Sequence, residues 1–201
     1  MSETTNEQAL VREEHKEGDE RALFGFWTYI MTDCVLFASL FATFAVLRYN
    51  TFGGPGGGQL FSQPYALIET LILLTSSFTC GLALLSVRHK DKTSSLFLFG
   101  VTFLLGIAFL VMEFSEFRHL VIEGNSWRRS GFLSSYFALV ATHGMHITVG
   151  LIWMAVLAVR AWTRGFNRHM LRRLTMLSIF WHFLDVIWIF IFSIVYLMGG
   201  L

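Results

Sequence analysis

The sequence is poor in charge, cysteine and proline. Charged residues make up 14% of its 201 residues, against about 25% in a typical soluble domain. The two cysteines, Cys34 and Cys80, lie apart in apolar stretches, with no Cys-x-x-Cys and no Cys/His cluster of zinc spacing. A net charge of +1 gives no basic field for a nucleic-acid partner. These features exclude disulfide-scaffold, collagen-like, disordered and nucleic-acid-binding proteins.

Long apolar runs make up most of the sequence. Hydrophobic residues make up 54% of the chain and the mean hydropathy is +0.57. Five runs exceed the roughly 20 residues that cross a bilayer as a helix, and no Lys or Arg lies inside them: 23–47, 66–87, 95–117, 132–159 and 174–198. The sequence therefore predicts an all-α integral membrane protein, a five-helix transmembrane bundle over residues 23–201, preceded by an acidic tail at 1–22.

The basic residues outside the runs predict the orientation. Eleven Lys and Arg lie in the leader and in the second and fourth connections, whereas the other side has four: Arg48, Arg118, Arg128 and Arg129. Because cytoplasmic loops are enriched in basic residues, we expect a cytoplasmic N-terminus and a periplasmic C-terminus. The glycine-rich first connection, at 53–58, lacks the Lys-Ser/Thr and preceding strand of a phosphate-binding loop, which favours a flexible hairpin.

Ionisable residues inside the apolar runs are the candidate functional positions. A charged group costs about 2.5–3.5 kcal/mol at a helix centre on insertion scales, so these groups must face protein, water or one another. Several are spaced three residues apart and therefore share a helical face. The set is Asp33, Glu69, Glu113, Glu116, His143, His146, His182 and Asp185.

Three uses of these residues are open from the sequence. Di-iron bundles need Glu-x-x-His on two helices and b-haems need paired axial histidines; neither pattern is clearly present, so no catalytic, cofactor or metal residues are predicted. A proton pathway is the second use. The third is interhelical hydrogen bonding, for example between His182 and Asp185 or between Asp33 and a histidine, at about 0.6 kcal/mol per bond.

Small and aromatic residues indicate helix contacts and membrane depth. Glycines allow helices to approach closely, so we expect contacts at Gly100, Gly106, Gly144 and Gly150. Aromatic residues favour the membrane interface, and this predicts Trp127 and Tyr136 as interface anchors.

Several motifs resemble subunit III of the haem-copper respiratory oxidases. They are SGFLS at 130–134, THGMHITVG at 142–150 and WHFLDVIW at 181–188, supported by TDCVLF at 32–37, IET at 68–70 and SEF at 115–117. The resemblance extends over nearly everything from Phe24 onward. RSGFLS at 129–134, VYLMG at 195–199 and the five-span length are most similar to the ubiquinol-oxidising, cytochrome o-type branch. Five-span members also serve some bacterial cytochrome c oxidases, which is the alternative.

The resemblance implies a supporting role. Subunit III has no redox centre, and the haems and copper are expected in a partner, subunit I. The complex in the bacterial inner membrane would oxidise ubiquinol, reduce oxygen to water and pump protons, with this chain supporting proton uptake and stability of subunit I. By resemblance, Glu69 matches the family's carbodiimide-reactive glutamate, and Asp33 matches the acidic group of the preceding helix. The matched His and Asp residues of the last two runs are expected to form hydrogen bonds between helices.

The resemblance also implies the partners of the chain, which are subunit I, the other oxidase subunits and membrane lipids. No nucleic acid is expected.

The resemblance does not directly imply a lipid cleft. In seven-span members this cleft lies between the first two spans and the rest, and this chain lacks those two spans. Without the resemblance, a proton-coupled transporter or an intramembrane metalloenzyme would be the alternatives.

Overall fold

The computed structural model describes residues 2–53, 60, 63–89, 91–164 and 167–197. The elements are α1 (Ser2–Leu47), α2 (Gln63–Arg88), α3 (Lys92–Ile122), α4 (Gly131–Arg164) and α5 (Arg168–Ile191), which continues as a π-helical segment, Phe192–Leu197. In the described part of the chain, five helices are long and apolar enough to cross a membrane. The prediction of an all-helical protein is confirmed for the described residues, as is that of five helices able to span a membrane.

The helices extend beyond the predicted apolar runs. The first helix begins at Ser2 and so includes most of the acidic leader, and α3 continues to Ile122. Hydropathy marks only the part of a helix that fits the hydrocarbon, whereas backbone hydrogen bonding continues until a cap or turn interrupts it. The end of the fifth predicted run, at residue 198, and the glycines at 54 and 56–58 lie outside the described residues.

The chain divides into two compact units, Met1–Ala38 and Ser39–Leu201. The first unit consists of most of α1. In the second unit, α2 packs against α3 and α5, and α4 packs against α3 and α5, so that these four helices form a closed bundle. The π-helical segment also contacts α2.

Hydroxyl groups connect α2 to α3 across this bundle. Ser95 Oγ donates to the carbonyl of Ala83 at 3.2 Å, and Ser76 Oγ donates to the carbonyl of Thr102 at 3.2 Å. The hydroxyls of Thr79 and Thr102 are 2.8 Å apart. Such bonds satisfy polar groups where neither water nor lipid can do so.

Two indoles connect α2 to α5. Trp181 Nε1 donates to Ser76 Oγ at 3.2 Å, and Trp188 Nε1 donates to Thr70 Oγ1 at 3.1 Å. Both tryptophans are completely buried. A buried indole needs an acceptor for its N–H, so these bonds fix how α5 lies against α2.

Three of the four predicted glycine contacts are confirmed. A Cβ at Gly106 would lie 2.8 Å from Leu151 Cδ2, one at Gly144 would lie 2.8 Å from Glu113 Oε1, and one at Gly150 would lie 3.1 Å from Trp181 Cζ3. The prediction for Gly100 is wrong, because no described residue lies within 4 Å of a Cβ there. Spacing along a helix does not reveal whether a neighbour reaches that turn.

The prediction that Tyr136 is an interface anchor is also wrong. Its side chain is completely buried, and its hydroxyl lies 3.1 Å from that of Tyr196. A tyrosine can enter the interior when its hydroxyl finds a partner there, and Tyr196 supplies it. Trp127, in contrast, is 50% exposed.

Candidate functional site

Three glutamates from two helices form a carboxylate cluster in the second unit. Glu69 lies on α2, and Glu113 and Glu116 lie on α3. Glu113 is within electrostatic range of Glu69 and Glu116, as Glu69 is of Glu116. The sequence predicts that Glu113 and Glu116 share a helix face, and the packing of α2 against α3 adds Glu69 to them.

The members of the carboxylate cluster differ in their partners. Glu69 is completely buried and Glu113 is 3% exposed, and their carboxylate oxygens form no hydrogen bond with described residues. Glu116 instead accepts a hydrogen bond of 2.8 Å from the hydroxyl of Tyr196. A buried polar group without a partner is energetically costly, so Glu69 and Glu113 are the unusual positions.

Tyrosine hydroxyls extend from Glu116 into the bundle. Tyr196, on the π-helical segment, bonds to Glu116 and lies next to Tyr136 of α4. Because a π-helix is wider than an α-helix, it changes the register of side chains that follow Ile191. The series Glu116–Tyr196–Tyr136 thereby connects α3, the end of α5 and α4.

A cleft of about 340 Å³ adjoins the carboxylate cluster. Its lining includes Tyr65, Ser115, Glu116 and His119. The hydroxyl of Tyr65 donates to the carbonyl of Met112 at 3.0 Å, and Tyr65 is within electrostatic range of Glu69 and Glu116. One member of the cluster is therefore reachable from the surface of the second unit.

Glu113 fits into the bundle because α4 has no side chain opposite it. Gly144 lies directly against its carboxylate. The neighbouring His143 is completely buried, with its ring stacked on Trp188 at 5.3 Å and in edge contact with Phe109 at 6.0 Å between centroids. This part of the motif at 142–150 is thus a tightly packed contact between α3, α4 and α5.

The remaining predicted residues lie away from the carboxylate cluster or bond locally. His146 Nδ1 is 2.7 Å from the carbonyl of Thr142, and His182 Nδ1 is 2.7 Å from the carbonyl of Ser178. Each ring therefore turns back to the preceding turn of its own helix.

Asp185 does not pair with His182. It lies within reach of Ser77 and in electrostatic range of Cys80, both on α2. Its carboxylate oxygens form no hydrogen bond with described residues, so the interhelical role suggested for Asp185 stays a prediction.

Asp33 belongs to the first unit. Tyr29, one helical turn earlier on α1, forms a side-chain hydrogen bond with Asp33. The structure therefore gives Asp33 a partner on its own helix.

The sequence does not mark several residues as parts of the site. Tyr136 is predicted as an interface anchor, Tyr196 belongs to the motif at 195–199 and Tyr65 belongs to no motif. No spacing rule connects positions 116, 136 and 196. The family motifs include Trp188 and Gly144 without indicating their partners. Among the residues that the structure describes, no three His, Cys, Asp or Glu side chains are grouped so that they could hold a metal ion.

The helices and the buried carboxylates define the class as a multi-pass membrane protein whose interior contains ionisable groups. Residues 4–200 match the family described as cytochrome c oxidase subunit III. The chain belongs to this family, and the resemblance inferred from the motifs is confirmed.

Curated relatives within this family include subunits of quinol oxidases and of cytochrome c oxidases. A protein of Pseudomonas aeruginosa called cytochrome bo(3) ubiquinol oxidase subunit 3 is 56% identical over 89% of this chain and 86% of its own. A Pseudomonas putida protein of the same name is 50% identical over 93% and 90%. The cytochrome c oxidase subunit 3 of Bacillus sp. strain PS3 is 43% identical over 91% and 88%.

Proposed function

We propose that this chain is subunit III of a proton-pumping ubiquinol oxidase of the cytochrome bo type in a bacterial inner membrane. The observation that carries the proposal is the 56% identity to a ubiquinol oxidase subunit, against 43% to the Bacillus cytochrome c oxidase subunit. The alternative donor is cytochrome c. Oxidation of ubiquinol and of reduced cytochrome c by the purified complex distinguishes the two.

In this proposal the chain stabilises a partner and contains no redox centre. The haems and copper belong to subunit I, beside which this chain packs. Its own ionisable residues differ in their partners. Glu116, His146 and His182 bond to neighbouring groups, which suits a structural role. Glu69, Glu113 and Asp185 are buried, and their carboxylate oxygens form no hydrogen bond with described residues; of these three, Glu69 and Glu113 belong to the carboxylate cluster.

Glu69 and Glu113 are therefore the candidates for proton-related function. A carboxyl group that is not engaged by a donor is free to exchange a proton with a nearby group, and the two glutamates lie near Glu116 and its cleft. The candidate route runs between the cleft, the carboxylate cluster and the tyrosine hydroxyls. All of these groups belong to the second unit.

Deletion of the chain from the native oxidase tests the supporting role. We expect the purified remaining complex to keep its haem spectra and copper, because their ligands lie elsewhere. Its turnover should decline during use or its proton uptake should slow, and it should be less stable in detergent, since a bound partner contributes to stability by linkage. Restoring the wild-type chain is the control.

Two results would contradict this role. Loss of a haem from the remaining complex would mean that the chain is needed for cofactor insertion or retention. Full sustained turnover, pumping and stability without the chain would mean that it supports none of them.

A further inference from the structure

A large groove opens between the end of α3 and the start of α4. Its volume is about 930 Å³. Deeper along the same two helices the contact is close, at Gly144 against Glu113 and at Gly106 against Leu151. Of the α4 residues that line the opening, Ser134, Ala138 and Ala141 are small and Phe137 is the one large side chain.

The groove is apolar along its length and aromatic at one end. Phe117 and Phe137 contact each other at 4.9 Å between ring centroids, and Trp127 meets Phe137 at 6.0 Å. Ser134 Oγ donates to the carbonyl of Trp127. This bond holds Trp127, in the connection between α3 and α4, beside the groove. Tryptophan is typical of the level where hydrocarbon meets headgroups.

The side chain of Arg118 places a positive charge at this apolar groove. Arg118 lines the groove and is exposed, and no ion pair or hydrogen bond engages it among the described residues. The nearby Glu123 pairs with His119 at 3.3 Å, and Arg129 Nη1 donates to Asn125 Oδ1 at 2.5 Å. Arg118 is thus left to bind an external anion.

We infer that the groove binds an anionic phospholipid, whose acyl chain lies along Phe114, Phe117 and Ala138 and whose phosphate bonds to Arg118. A guanidinium bonds a phosphate through two parallel N–H groups, so an exposed arginine beside an apolar groove suits an anionic headgroup above an acyl chain. The charge, the apolar length and the interfacial tryptophan all match this one amphipathic ligand.

A second cavity on the α3–α4 seam provides a contrast. It measures about 330 Å³ and is lined by apolar residues such as Phe103, Met154 and Trp162 with no charged side chain. Acyl chains of any lipid would fill it equally well, so it predicts no headgroup preference. The proposal is restricted to the groove that contains Arg118, and it holds whichever electron donor the oxidase uses.

Lipid retention by the intact oxidase tests the site. The complex is purified, depleted of loosely bound lipid and placed in nanodiscs of phosphatidylethanolamine and phosphatidylglycerol, and bound lipid is counted by native mass spectrometry. Wild type should retain phosphatidylglycerol preferentially. Arg118→Gln should bind it about fivefold more weakly, the effect of one basic residue near an anionic headgroup. Arg128→Gln, an exposed arginine outside the groove, should match wild type.

A second variant fills the groove and keeps the charge. Ala138 is exposed, so Ala138→Phe should occupy the groove without disturbing the interior and should abolish phosphatidylglycerol retention. Unchanged retention in Arg118→Gln or in Ala138→Phe would overturn the inference. Loss of another oxidase subunit from Ala138→Phe, with lipid retention unaffected, would also overturn it and identify the groove as a protein interface.

Discussion

At the scale of single residues, Glu69 and Glu116 show how packing separates side chains that look alike in the sequence. Both are intramembrane glutamates in the carboxylate cluster, yet Tyr196 donates a hydrogen bond to Glu116 only. The oxygens of Glu69 form no hydrogen bond with described residues. Interactions of this kind decide whether a carboxyl group is structural or chemically available.

This difference predicts selective chemical labelling. An apolar carbodiimide added to the native complex should modify Glu69, because no hydrogen-bond donor among the described residues engages its oxygens. The oxygens of Glu113 also have no donor, but Gly144 packs directly against that carboxylate and leaves less room for the reagent. Labelling measured by peptide mass spectrometry should disappear in Glu69→Gln and persist in Glu116→Gln, the matched control. Equal labelling of the Glu69→Gln chain would assign the reactive carboxyl to another residue.

Gly144 and Gly100 form a second contrast between like residues. Gly144→Ala places a Cβ 2.8 Å from Glu113 Oε1, whereas Gly100→Ala meets nothing within 4 Å. We expect Gly144→Ala to destabilise the chain by about 1–3 kcal/mol, the usual cost of overpacking. Gly100→Ala should be neutral or stabilise by up to about 1 kcal/mol through helix propensity.

Thermal denaturation of the purified complex measures both variants under one set of conditions. A lower midpoint for Gly144→Ala alone is the expected result. Equal midpoints for the two variants would show that Glu113 moves aside at little cost and that the close contact does not limit stability.

At the scale of elements, α3 begins at a defined cap outside the apolar run. Asp91 has extended backbone dihedrals and accepts a hydrogen bond from the backbone N–H of Ser94, and Ser94 Oγ donates to its other oxygen at 2.6 Å. These bonds hold the pKa of Asp91 below its ordinary value. The carboxylate also interacts favourably with the helix N-terminus.

The cap predicts a pH dependence of local stability. A depressed pKa stabilises the folded helix above the ordinary Asp range, and this contribution is lost as the pH falls through the lower folded-state value. The protection factors of the Ser94 and Ser95 amides, which compare the intrinsic exchange rate with the observed one, should therefore fall in acid. Asp91→Asn, which can cap without charge, should abolish that dependence, and Asp91→Ala should weaken protection at all pH values. Identical profiles for all three chains would contradict the cap.

The helices and their contacts differ in how far the sequence predicts them. The five spans follow from hydropathy, because each apolar run must be a continuous helix in hydrocarbon. The family follows from short motifs such as that at 142–150. Burial of Tyr136 and the empty space at Gly100 did not follow, because each depends on which residue of another helix lies opposite. Likewise, the sequence does not reveal that the ring of His182 lies against the carbonyl of Ser178, one turn earlier on its own helix.

At the scale of the whole molecule, the described helices contain two sets of buried polar groups. Hydroxyls and indoles hold α2 against α3 and α5, whereas the carboxylate cluster lies where α2, α3 and the end of α5 meet. In hydrocarbon the hydroxyls and indoles have only one another and the backbone as partners, so their bonds specify how the helices pack. That specificity suits a subunit whose proposed task is to stabilise a neighbour.

The distribution of basic residues predicts how the molecule crosses the membrane. Eleven of the fifteen Lys and Arg lie in the leader or at the α2–α3 and α4–α5 connections, counting the helix ends beside each connection. The other four lie at the remaining two connections, counted in the same way. Because basic segments are retained in the cytoplasm, a phosphatase that is active only in the periplasm should be active when fused after Leu201. The same reporter placed in the α2–α3 connection should be inactive, and a cytoplasmic reporter should give the reverse pattern at both sites. Phosphatase activity in the α2–α3 connection with none after Leu201 would mean that the chain is inserted the opposite way. The end of the bundle that contains Arg118 and its groove would then face the cytoplasm.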